Sequence, residues 1–197
     1  MNDLPPVCYN EWCWMYSIFI VLIAFFLAII EIEIEGCQGW AENLPTAKLV
    51  DTKRSLTVYH LYMFSFVLLI LCGTFFVKSY DYTFYDFLYI LTMAIMVVFL
   101  EDIYWFVLNP CYGFKRIADV WWHAKWGPIP IIYVFLPIII VLLAWWSGYI
   151  DTFGRSLVTI LGGTLVIFAL SPLYQMLYKW LHRSKATVTS TENLTIT

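Results

Sequence analysis

Five stretches of this chain are apolar over the length a bilayer-spanning helix needs, about 20 residues. They are Trp14–Ile34, Leu56–Val77, Phe84–Leu108, Pro130–Ser147 and Leu157–Tyr178. Composition agrees with that pattern: 62% of the 197 residues are hydrophobic and 13% charged, where soluble domains carry about a quarter of their residues as charges. A soluble globular domain and a disordered chain are both excluded. Nucleic-acid binding is excluded as well, since 11 basic against 14 acidic residues leave a net charge of -3 and no basic field. The expectation is an all-α integral membrane protein with five transmembrane helices. It forms one membrane domain over residues 1–185, followed by a polar, disordered tail over residues 186–197. The first stretch lacks a basic n-region, follows Asp3 and Glu11, and outruns the apolar core of a signal peptide, so it is read as a retained helix.

Positive charge on short loops tends to stay in the cytoplasm. With five spans, the 1–2 connection, the 3–4 connection and the C-terminus share one side, which carries Lys48, Lys53, Arg54, Lys115, Arg116, Lys125, Lys179, Arg183 and Lys185. The other side has Lys78 and Arg155. Nine against two predicts an outside N-terminus and a cytoplasmic C-terminus, with the plasma membrane as the location. The sequon at Asn193 would then face the cytoplasm and is read as chance. Cys8 and Cys13 would lie outside, where pairing and free thiols are equally compatible with their spacing. Cys37, Cys72 and Cys111 show no Cys-x-x-Cys spacing. Most of the ten tryptophans fall near span ends, as an interfacial aromatic belt requires.

Asn109 and Pro110 should end the third span, because proline has no N–H and its predecessor avoids helical angles. Beyond them Phe114, Ile117, Ala118, Trp121 and Trp122 recur at amphipathic-helix spacing, opposite Lys115, Arg116, Asp119 and His123. This pattern predicts a short interfacial helix between spans three and four.

Acids and histidines at membrane depth cost several kcal/mol unless paired, which makes them candidates for function. Glu31, Glu33 and Glu35 end span one, His60 begins span two, Glu101 and Asp102 approach the end of span three, and His123 lies on the interfacial helix. All four segments reach the same leaflet. At about 1.5 Å per residue, Glu101 lies about 12 Å below the end of its helix, and Glu31 and His60 about 7 Å deep. Glu31 and Glu35 share a helix face while Glu33 points elsewhere.

Carboxylates and imidazoles without thiolate suit zinc, iron or manganese, with Glu31, Glu35, His60, Glu101 and His123 as candidate ligands. No Glu-x-x-His or His-Glu-x-x-His supports this set, which rests on convergence alone. Plainer accounts stand beside it. Glu33 and Glu35 suit a charged helix end leaving the membrane, and His60 suits a histidine bonded to a backbone carbonyl. His123 suits a surface pair with Asp119, although Asp119 is also placed to orient an imidazole ligand. Glu101, flanked by Phe99, Leu100 and Ile103, is the hardest to dismiss, because it needs a partner or a proton. The loop from Gly36 to Thr46 reads equally as a lid over the acids and as a segment on the membrane surface.

The leading expectation is a membrane-embedded metalloenzyme acting on a lipid-like or other hydrophobic substrate at the cytoplasmic leaflet, with Glu101 and His60 catalytic. Cation or proton transport is the second reading, haem on His60 and His123 a third, and an accessory subunit of a larger membrane complex the fourth. Gly162 and Gly163 permit close helix packing and a homo-oligomer contact.

Overall fold

A computed structural model describes residues 13–36, 44–49, 57–76, 83–112, 125–126 and 129–192. Five helices carry the architecture: α1 (Cys13–Glu35), α2 (Val58–Phe76), α3 (Phe84–Leu108), α4 (Ile132–Trp146) and α5 (Ile150–Glu192). The remaining regular structure is a two-residue antiparallel ladder, Lys125–Trp126 against Ile129–Pro130. Three helices are long and apolar enough to cross a membrane: α1, α3 and α5 up to His182. The chain is therefore an all-helical, membrane-embedded protein.

The five expected spans are matched unevenly. The third, Phe84–Leu108, has the expected bounds, and α1 differs from its span by one residue at each end. Helix α5 begins at Ile150 rather than Leu157, because Asp151 and Arg155 sit exposed on its first turns without interrupting the backbone. Its helical backbone also runs past Ala186, where the sequence reading begins the polar tail, to Glu192. Helix α4 has 15 residues, which rise about 22 Å and fall short of an apolar core of about 30 Å. The interfacial helix expected around Phe114 to His123 lies outside the described residues, as do Cys8 and residues 37–43 of the expected lid.

Helix α3 is the axis of the bundle, touching each of the other four helices, and α1 packs along both α3 and α5. Helices α2 and α4 each pack on α3. The side chains follow that plan: Ile20, Ala24, Ala28 and Ile32 of α1 and Tyr89, Met93, Val97 and Tyr104 of α3 are buried, while much of α5 is exposed apolar surface. Lipid is the natural cover for such a surface. A Cβ on Gly163 would meet Val21 of α1 at 3.1 Å, so the close packing expected of this glycine is used within the chain. Tyr104 and Thr164 hydroxyls meet at 2.7 Å, and Gln175 Nε2 donates to the Val107 carbonyl at 2.8 Å, which ties α3 to α5. Pro172 inside α5 leaves the Phe168 carbonyl without its usual donor, and the Ser171 hydroxyl supplies one at 2.8 Å.

Candidate functional site

The positions of the acids follow from how α1 and α3 end. Gly36, with φ +62°, takes the left-handed conformation that closes α1, and its N–H donates to the Ile32 carbonyl at 2.9 Å. Asn109 caps α3, as its place before proline requires. Its Nδ2 donates to the Gly36 carbonyl at 2.9 Å while its Oδ1 accepts from the Cys111 N–H at 2.9 Å. This clamp holds the two helix ends level, so Glu31 and Glu35 come alongside Glu101 and Asp102. Helix α2 enters beside them. The Thr46 hydroxyl accepts from the Tyr59 N–H at 3.2 Å, and the Ala47 carbonyl accepts from the Val58 N–H at 2.9 Å. The described end of the 1–2 connection thus fixes the first turn that carries His60.

Between α1, α2, α3 and α4 lies a cavity of about 390 Å³, within the range of small-molecule sites. Glu31, Glu35, His60, Glu101 and Asp102 all line it, gathered toward one end of the bundle; Leu27, Met63, Phe64, Val67, Val98 and Leu136 supply apolar wall. Four of the five candidate ligands therefore border one space, and the fifth, His123, lies outside the described residues. Glu33 faces away from it: this side chain is half exposed and meets His182 Nε2 of α5 at 3.1 Å.

Each polar group has a particular environment. Glu31 Oε1 accepts from the Tyr59 hydroxyl at 3.2 Å, and Glu101 lines the same cavity. Asp102 accepts from the Tyr133 hydroxyl of α4. His60 Nδ1 accepts from the Thr57 N–H at 3.3 Å, which makes the Thr57 hydroxyl a donor to the same nitrogen at 2.7 Å and leaves the proton of a neutral ring on Nε2. The expected carbonyl partner of this ring is thus replaced at Nδ1 by a hydroxyl and an N–H. Glu101 Oε1 stands apart: it is fully buried and has no hydrogen-bond partner among the described residues.

Metal ligands must converge on one point at close range. Among the described residues no three His, Cys, Asp or Glu side chains do so, and Glu31, Asp102 and His60 Nδ1 are engaged by hydroxyls.

Cys72 is in no disulfide, whereas Cys111, next to the Asn109 clamp, is disulfide-bonded. Sequence reasoning passed over Tyr59, Tyr133 and His182. Tyrosine is one of the commonest residues here, with 14 in the chain, so nothing marks two of them as carboxylate partners. No family model, curated protein or solved structure matches the chain.

Proposed function

We propose that this chain is a membrane-embedded enzyme that takes a lipid-like molecule into the cavity and acts on its polar end by proton transfer through Glu31 and Glu101. The observation that carries this reading is that two carboxyls from different helices, Glu31 and Glu101, line one largely apolar cavity. A carboxyl pair that shares one proton is equipped for general acid–base work: a C–H bond beside the polar group of a bound molecule breaks as its proton passes to the ionised carboxylate, and the carbon regains a proton from the protonated partner. No oxidant, reductant or other co-reactant enters that balance. In this reading all five helices cross the bilayer, the short α4 by local thinning of the bilayer around it, and the nine-to-two charge count supports a cytoplasmic side for the leaflet that holds the cavity.

Proton transfer has a direct readout. Full-length protein in nanodiscs is incubated with a total membrane lipid extract in heavy water, and the lipids are then weighed by mass spectrometry. One lipid species should gain deuterium with the wild type and none with Glu101→Gln. Absence of enzyme-dependent exchange in every species would overturn the proposal. Elemental analysis of the same samples is the second measurement, since a stoichiometric ion lost in both Glu101→Gln and His60→Ala would give these residues a coordinating role instead.

A further inference from the structure

One proton shared by two carboxyls raises the question of which carboxyl keeps it. Depth weighs first. The Asn109 clamp holds the ends of α1 and α3 level, and Glu31 stands five residues before Gly36 while Glu101 stands eight before Asn109. Glu101 is therefore about 4.5 Å farther from the polar end of the bundle, at the rise of a regular helix. A negative charge costs more the deeper it lies in an apolar layer, and that favours Glu31 as its holder.

A hydroxyl weighs on the same side. Tyr59 Oη donates to Glu31 Oε1 at 3.2 Å, and a donated hydrogen bond is stronger to a carboxylate than to a neutral carboxyl. Tyr59 is itself fixed from outside α1. Its N–H donates to the Thr46 hydroxyl at 3.2 Å, the Val58 N–H donates to the Ala47 carbonyl at 2.9 Å, and its ring meets the His60 ring edge-on with centroids 5.5 Å apart. The first turn of α2 thus presents a placed hydroxyl to an acid 28 residues earlier in the chain. Tyr133 serves Asp102 in a similar way but also lines the cavity, so its hydroxyl is within reach of an occupant as well. Tyr59 is not among the described residues that line the cavity, and its influence on an occupant passes through Glu31.

We propose that Tyr59 is the positioning residue of the acid–base pair: its hydroxyl holds Glu31 as the ionised member, the base, and leaves the pair's proton on Glu101, the acid. The proton leaving the substrate carbon then goes to Glu31, and the carbon is reprotonated by Glu101. A proton passing from Glu31 back to Glu101 restores the starting state. This rests on the reading that the two carboxyls transfer a proton, and it gives each of them its role.

Infrared spectroscopy reads the two charge states, because a protonated carboxyl has a carbonyl stretch that a carboxylate lacks. The full chain is measured in dodecyl maltoside, a detergent without ester carbonyls, and Glu35, Asp102 and His60 stay in place in every variant compared. The band should be lost in Glu101→Gln and kept in Glu31→Gln. Tyr59→Phe keeps the ring and removes the hydroxyl. It should unfold at the wild-type temperature and lose about tenfold in deuterium exchange into lipid, the worth of one hydrogen bond to a charged group. In that background Glu31→Gln should remove part of the band. Loss of the band in Glu31→Gln and its retention in Glu101→Gln would overturn the assignment and leave the proton-transfer reading standing. A Tyr59→Phe protein with a lowered unfolding temperature, wild-type exchange and the band still wholly on Glu101 would overturn the role of Tyr59, which would then only tie α2 to α1. The expected band pattern in a protein that exchanges deuterium into no lipid would overturn the proton-transfer reading and leave the charge states as assigned.

Discussion

Helix α3 carries a buried acid near one end and a partly buried one near the other, and the two are treated in opposite ways. Asp86 lies in the first turn, 4% exposed, where the helix dipole favours negative charge. Its Oδ2 accepts from the Thr83 N–H at 3.0 Å and the Thr83 hydroxyl at 2.6 Å, and its Oδ1 accepts from the Tyr149 hydroxyl at 2.7 Å. Thr83 returns the favour by accepting from the Asp86 N–H at 3.2 Å, which completes a capping box. Glu101 lies two turns before the other end, and its buried Oε1 has no hydrogen-bond partner among the described residues. Burial by itself therefore does not mark a functional acid in this protein. What separates the two is whether the buried oxygens are satisfied: Asp86 is held as part of the fold, and Glu101 is held ready for something else.

Substitutions sharpen or break that contrast. Glu101→Gln has the largest expected effect, a loss of about a hundredfold or more in proton exchange, with unfolding in mixed micelles unchanged or slightly shifted toward greater stability because an ionisable group is removed from a largely apolar setting. A variant that unfolds and still exchanges at the wild-type rate would reverse the roles assigned to the two ends. Asp86→Ala comes next. It removes a cap and a hydroxyl partner, so unfolding should cost about 2 to 3 kcal/mol less, while proton exchange holds within about twofold of wild type. Loss of exchange at full stability would show that the Asp86 end also belongs to the site.

Asn109→Ala tests the link between fold and site. The α1–α3 clamp should weaken by about 1 to 2 kcal/mol, and because that clamp sets Glu31 beside Glu101, exchange should fall along with stability. Glu33→Gln is expected to do least. Its pair with His182 is partly exposed, so unfolding should move by less than about 0.5 kcal/mol, and proton exchange should not change.

The sequence made the acids legible because a charge is conspicuous in an apolar chain, and helical spacing alone separated Glu31 and Glu35 from Glu33. It also placed both helix ends that matter: Asn109 before Pro110 stops α3, and Gly36 stops α1. Other features left weaker traces. Asp86 could have been found, since Thr83 and Asp86 stand at capping-box spacing before an apolar run. The partners Tyr59, Tyr133 and His182 come from helices distant in sequence, and only packing reveals which hydroxyl or ring reaches which acid. The start of α5 was misplaced because Asp151 and Arg155 look like loop residues, although charges on an exposed helix face cost the backbone nothing. The unpartnered oxygen of Glu101 has no sequence signature, because satisfaction is a property of neighbours.

The disulfide at Cys111 sets a condition on the compartment beyond the acidic end. Such bonds persist where the surroundings are oxidising, and a cytosolic thiol pool reduces them. The nine basic residues on that side argue for the cytosol, so sulfur chemistry and charge pull the same loop toward opposite faces of the membrane. Alkylation of Cys111 by a membrane-impermeant maleimide, applied to sealed cells with and without prior reduction, decides between them. The answer also fixes whether substrate approaches from the cell's own lipid pool or from the world outside.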